Sequence, residues 1–252
     1  MRISSLFALL LAICALSAAQ NTVPGSAPWS YQGRTGPLVW YKLDRSYAAC
    51  NKGREQSPVE IRKARLDPSL RPIEFHYIGE SMTLINSGNT IEARVDPGSY
   101  IVAGGIRYNL SSFEFHHPSE HAVGKKLFDM EVDLMHRSED GKAANIAVLL
   151  SEDRGFPNAV LAALWEHLPT AAGQSEKIAD MINPGGLLPG DRGYWTYVGS
   201  ELTPPCTEGV RWFVMEQPIS ISRGQLNAFA SLFRMNTRPT QELHGRQIQA
   251  DE

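Results

Sequence analysis

Short alternations of apolar and polar residues recur along most of this chain. They read MTLIN from Met82, IEARV from Ile91, YIVA from Tyr100 and IRYNL from Ile106, then Phe113 to His117, Met130 to His136, IAVLL from Ile146 and Val210 to Glu216. Gly, Asn, Asp and Pro separate the runs. A period of two places successive side chains on opposite faces of a strand, so the pattern predicts a domain built of many strands. Two stretches keep a longer period. Pro157 to Leu168 gathers Val160, Leu161, Leu164 and Leu168 on one stripe, and Ser222 to Phe233 is a second candidate helix. The entry WSYQGRTGPLVW, Trp29 to Trp40, reads as loop and turn. The expected class is α+β, β-dominated, in a single domain.

The same period sorts the polar residues. In FEFHHPSEH, residues 113 to 121, Glu114 and His116 share one strand face while the adjacent His117 points to the other. In MEVDLMH, Glu131, Asp133 and Met135 lie on one face and Val132, Leu134 and His136 on the opposite one. If these two strands pair, Asp133 converges on Glu114 and His116. Two carboxylates and one imidazole form a set that a divalent ion accepts. On spacing alone they read more simply as a solvated polar face or as an internal salt bridge with a protonated His116. A hydrolytic triad from the same residues lacks a nucleophile, because Ser111, Ser112 and Ser119 sit in no nucleophile elbow.

Composition narrows the setting. The first nineteen residues, MRISSLFALLLAICALSAA, have one Arg, an apolar stretch and small residues, the pattern of a signal peptide with cleavage expected near Ala19. That leaves residues 20–252 as the domain. No segment has the apolar length of a membrane span. With Arg2 removed, 23 Lys+Arg stand against 27 Asp+Glu, a balance that does not suggest nucleic acid. Cys50 and Cys206 remain, and in an oxidising compartment their pairing is the expected state. Asn109, Leu110 and Ser111 fit a glycosylation sequon, relevant only in a eukaryotic secretory pathway.

Six stretches together resemble the α-class carbonic anhydrases: CNKGREQSPVEI from Cys50, HHPSEH from His116, MEVDLMH from Met130, YWTYVGS from Tyr194, TPPCTEGV from Thr203 and WFVMEQPIS from Trp212. The likeness runs from Trp29 to about Gln249. It implies a central, mostly antiparallel ten-stranded twisted sheet with peripheral helices, an active site in a deep cone, and, in secreted members, a Cys50–Cys206 disulfide. It implies zinc as cofactor and CO2 and bicarbonate as small-molecule partners, while the signal-peptide pattern sets the expected location as secreted or periplasmic.

The resemblance also marks departures. Its zinc needs three histidines, two at i and i+2 on one strand and one on the neighbour, so that bound water reaches a pKa of about 7. Those positions hold Glu114, His116 and Asp133. The family's leucine and hydroxide-orienting threonine correspond to Glu201 and Leu202 in GSELTPP; the proton-shuttle histidine corresponds to Asn89 and a supporting glutamine to Ser112. Glu120, the catalytic glutamate, is retained, as are His121 and Glu131, the latter supporting the third ligand in the family. Carboxylates raise the pKa of metal-bound water and favour harder ions than Zn²⁺. The expectation is a family member lacking efficient CO2 hydration; the alternative is an active enzyme on an atypical Glu/His/Asp site holding zinc or another divalent metal.

Overall fold

The structure, a computed structural model, describes residues 29–152 and 156–251. The signal segment and Ala19 lie outside the described residues. One continuous path of ten strands crosses the molecule. It runs in the order Ser175–Ile182, Glu80–Asn86, Ile91–Val95, Ile106–His116, Met130–Arg137, Ala143–Ser151, Glu208–Met215, Tyr194–Ser200, Gln249–Ala250 and Arg65–Leu66. Three shorter strands join it at the side, and a separate three-stranded sheet holds Glu60–Ile61 beside Ala122–Val123. Along the path only the pairs of Ala143–Ser151 with Glu208–Met215 and of Gln249–Ala250 with Arg65–Leu66 are parallel, so the ten-stranded, mostly antiparallel expectation holds.

Strand alternation splits the interior in two. Phe113, Phe115, Val132 and Leu134 face the larger core, where Leu161 and Leu164 of the Ala159–Trp165 helix and Phe229 of the Arg223–Leu232 helix cover them. Trp165 sits edge-on to Phe115 at 4.8 Å between ring centroids. On the other side of the sheet, Val59, Ile61, Leu149, Tyr197 and Trp212 form a second cluster. The even-numbered residues of the Ile106–His116 strand near its end therefore face away from the helix-covered core.

Both expected helices form, each shorter than its apolar stripe. Asn158 caps the first by accepting from Leu161 N at 3.0 Å, and Ser222 with Gln225 makes a capping box on the second. IRYNL and FEFHH are not two strands but one, since Ser112 pairs with Met135 and Ser111 passes through a bulge that keeps the strand continuous between them. His117 lies just past its end.

Cys50 and Cys206 are joined. They pack against Tyr31, Trp40 and Tyr47, with Trp29 alongside. The bridge closes a loop spanning 156 positions, which the chain-entropy account makes worth several kcal/mol. Replacing both cysteines with serine is expected to remove about 2–5 kcal/mol of stability, read as a lower urea midpoint under non-reducing conditions.

Candidate functional site

The register settles the convergence. Met130–Arg137 lies antiparallel beside Ile106–His116, with Asp133 opposite Glu114 and Glu131 opposite His116. Glu114, His116 and Asp133 all line a cavity of about 550 Å³, together with Ser112, Leu202 and Trp212. His116 and Asp133 are almost fully buried.

His116 is held from three sides. Its Nδ1 is 2.9 Å from the backbone oxygen of Asn236, and a carbonyl only accepts, so Nδ1 carries a proton. Glu120 Oε1 lies 3.2 Å from the same nitrogen without hydrogen-bond geometry. On the other edge of the ring, Nε2 is 3.4 Å from Asp133 Oδ2, and both Asp133 oxygens are buried without a hydrogen-bond partner. Burial opposes a charge on His116, but Glu120 and Glu114 outweigh it and raise the imidazole to about 9. Burial raises Glu114 to about 7, an effect that His116 partly offsets. Asp133 is pushed well above the carboxylate range by burial and then by the charge of Glu131. Glu120 is raised too, since its burial outweighs the contact with His116.

These shifts share one sign. Each group binds its proton more tightly in the folded chain than in the unfolded one, so the native state carries more protons and stability falls as pH rises. For Glu114 and His116 the window runs from the unfolded carboxylate range up to about 9. Glu131, which is lowered, acts only at more acidic pH. Burial holds His136 down at about 3, which makes stability rise with pH only below its unfolded value, so thermal melts are expected to show a declining Tm from pH 7 to 9, flattened in the Glu114→Gln/Asp133→Asn double variant. A Tm rising over that range would contradict the charge arrangement.

The retained residues form a separate buried relay. Glu131 accepts from the backbone N–H of His121 at 2.8 Å and meets its ring Nδ1 at 2.6 Å. His121 Nε2 is 2.7 Å from the Tyr197 hydroxyl, which is 2.9 Å from Ser57 Oγ. Both Glu131 oxygens thus serve His121. Glu120 accepts from Arg238 N at 2.9 Å through Oε2.

The departures are placed as well. Leu202 is buried in the cavity wall, where its side chain offers neither donor nor acceptor. Glu201 pairs with Arg137 at 3.0 Å. Ser112 lines the cavity, whereas Asn89 does not; its amide donates to Trp29 O at 3.4 Å. His117 points elsewhere, toward Arg234 O at 2.9 Å. Asn236 and Arg238, which the sequence reading did not single out, anchor His116 and Glu120. They sit in a non-periodic loop more than a hundred residues away in sequence, where no local pattern marks them.

The zinc implied by the resemblance does not fit this set. Among the described residues, no group of three His, Cys, Asp or Glu side chains is arranged to hold a metal ion. The three positions offer one imidazole and two carboxyl groups, and a donor set richer in carboxylate than in imidazole leaves a metal a weaker Lewis acid.

A family model described as eukaryotic-type carbonic anhydrase matches residues 35–252. A carbonic anhydrase of Klebsiella pneumoniae is 38% identical over 240 residues, covering 94% of this chain and 96% of that protein. Among solved structures, the α-carbonic anhydrase of Thermovibrio ammonificans in complex with the inhibitor sulfanilamide superposes with a TM-score of 0.86 at 35% identity, covering 89% of this chain and all of that one. Dioscorin complexed with ascorbate gives a TM-score of 0.83 at 28% identity, over 88% of this chain and 97% of that one. With its ten-strand path, its cavity and matches over nearly the whole described length, this chain belongs to the eukaryotic-type carbonic anhydrase family.

Proposed function

We propose that this protein is an exported carbonic-anhydrase-like module that keeps the family's fold and cavity without efficient CO2 hydration. The observation that carries the reading is the cavity floor. Only one of the three ligand positions is an imidazole, and its ring lies between Glu120 at 3.2 Å and Asp133 at 3.4 Å. Leu202 adds to it. A threonine there orients the attacking hydroxide in the family, and losing one such polar contact costs about 2.7–4 kcal/mol at comparable sites.

Export is supported by the N-terminal pattern and by the Cys50–Cys206 bridge, which persists in oxidising compartments. Among the described residues no helix is long and apolar enough to cross a membrane. The retained role is small-molecule binding, supported by a family neighbour solved with ascorbate and by a cavity of ligand size.

Calorimetric titration of the chelator-treated protein with Zn²⁺ tests the reading. No tight, stoichiometric uptake is expected at neutral pH. One equivalent bound with high affinity would instead establish the alternative, a metal held by Glu114, His116 and Asp133.

A further inference from the structure

The strand register sets one row of side chains across the cavity wall. Arg94 lies opposite Ser112, Ser112 opposite Met135, Met135 opposite Asn145, and Asn145 opposite Trp212. All of them line the cavity, and Ser112 and Met135 stand two residues along their strands from Glu114 and Asp133 of the floor. Ser112 and Asn145 are each only 8% exposed. Yet among the described residues neither the Ser112 hydroxyl nor the Asn145 amide has a hydrogen-bond partner in the chain, and neither is sealed from solvent as the two Asp133 oxygens are. Met135, between them, is half-buried. A hydroxyl and an amide turned unpartnered into a recess keep their hydrogen bonds for what enters it.

We infer that this row binds a neutral cyclic polyol, with hydroxyls of the ligand on Asn145 and Ser112 and its C–H face on Met135, an assignment that rests on the small-molecule reading above and gives that ligand a chemical class.

Spacing selects the shape. Ser112 and Asn145 lie on the two strands that flank the strand of Met135, and neighbouring strands are about 4.8 Å apart, so their backbones stand about 9.5 Å from each other. Side chains reaching inward from both narrow that gap to the width of one six-membered ring. Chemistry selects the hydroxyls. An amide offers both donors and an acceptor, and a hydroxyl offers both as well, so each is matched by another hydroxyl without any charge. The arginines of the wall are already spent. Arg94 holds both oxygens of Glu92 at 3.0 Å, and Arg137 holds Glu201 at 3.0 Å. A charged ligand at the row would compete with one of these pairs, whereas a neutral one leaves both intact. The cavity volume, about 550 Å³, admits such a ring.

Isothermal titration of the chelator-treated protein with myo-inositol, cyclohexanol, quinate and 2-deoxystreptamine tests the assignment, because all four share a cyclohexane ring and differ in hydroxyl number and charge. Myo-inositol is expected to bind with Kd of about 1 mM, and the other three about tenfold more weakly. Asn145→Leu and Ser112→Ala should each weaken myo-inositol about tenfold. Neither group has a partner in the chain, so neither change should lower Tm, which separates a lost ligand contact from a damaged fold. Leu38→Ser, at an exposed position that does not line this cavity, should bind as the parent does. The inference falls if no myo-inositol binding is detected, if quinate or 2-deoxystreptamine binds as tightly, or if Asn145→Leu keeps the parent affinity. Zinc uptake is read in a separate titration: tight uptake would overturn the proposed function, whereas absent polyol binding without zinc uptake would overturn this inference alone.

Discussion

Converting Glu114 and Asp133 to histidine and Leu202 to threonine is expected to give a chain that takes up one Zn²⁺ and hydrates CO2. The scaffold for this is in place. Asp133 faces Glu114 across the strand pair, His116 lies two residues along, and Nδ1 of His116 is already committed to Asn236 O, leaving Nε2 for the metal. The two histidine replacements remove Asp133, which lies 3.4 Å from His116 Nε2, and Glu114, whose charge acts on the same ring, and supply the neutral donors a catalytic zinc requires. Zinc affinity should rise at least a hundredfold over the starting chain, more than a lost supporting contact alone would change it. The threonine should then act on rate rather than on affinity. Adding Leu202→Thr to the double variant is expected to raise kcat by about 10²–10³, the scale of a preorganised contact to the reacting oxygen. A triple variant that folds and binds zinc yet remains inert would show that the lost groups are not those at positions 114, 133 and 202.

Arg238→Ala is expected to be the most destabilising single change, costing about 3–5 kcal/mol. The residue is 3% exposed, and its guanidinium ties together three points far away in sequence: Cys50 O beside the disulfide, Gln56 Oε1 and Ser57 O. Alanine takes the guanidinium donor from three buried acceptors and leaves Glu120 with the His116 charge but without that of Arg238. The Arg238 backbone N–H to Glu120 survives the change, so the loss reports on the side chain. For a chain of this length the effect corresponds to a Tm lower by about 10 °C. Arg238→Lys keeps the charge without the fork and should fall between the two. An alanine variant melting with the wild type would mean that water satisfies these acceptors.

The two predictions draw on different kinds of information. Glu114, His116 and Asp133 were legible from the sequence because each lies on a strand with one face in the core: the alternation that buries Phe113, Phe115, Val132 and Leu134 necessarily turns their neighbours to the cavity. Arg238 and Asn236 were not legible. Their roles depend on side chains and carbonyls brought together only by the tertiary fold, and the loop that carries them has no period.

The strands divide in the same way. Ile91–Val95 and Tyr100–Ala103 match their apolar runs residue for residue. Ser175–Ile182 escaped because it is an edge strand, paired on one side only, and its polar sequence SEKIADMI buries little beyond Ile178 and Ile182. Backbone pairing alone stabilises such a strand, so hydrophobic pattern does not mark it. The two-residue strands Arg65–Leu66 and Gln249–Ala250 are too short to show any period.

The cavity floor is where local pattern and resemblance disagree about function. Resemblance supplies the fold and the positions; the side chains at those positions decide the chemistry. The decisive measurement is stopped-flow CO2 hydration by the purified chain at neutral pH with equimolar Zn²⁺ present. The account predicts a rate indistinguishable from the buffer with zinc alone, while zinc-dependent turnover with kcat/KM of about 10⁶ M⁻¹s⁻¹ or above would contradict it.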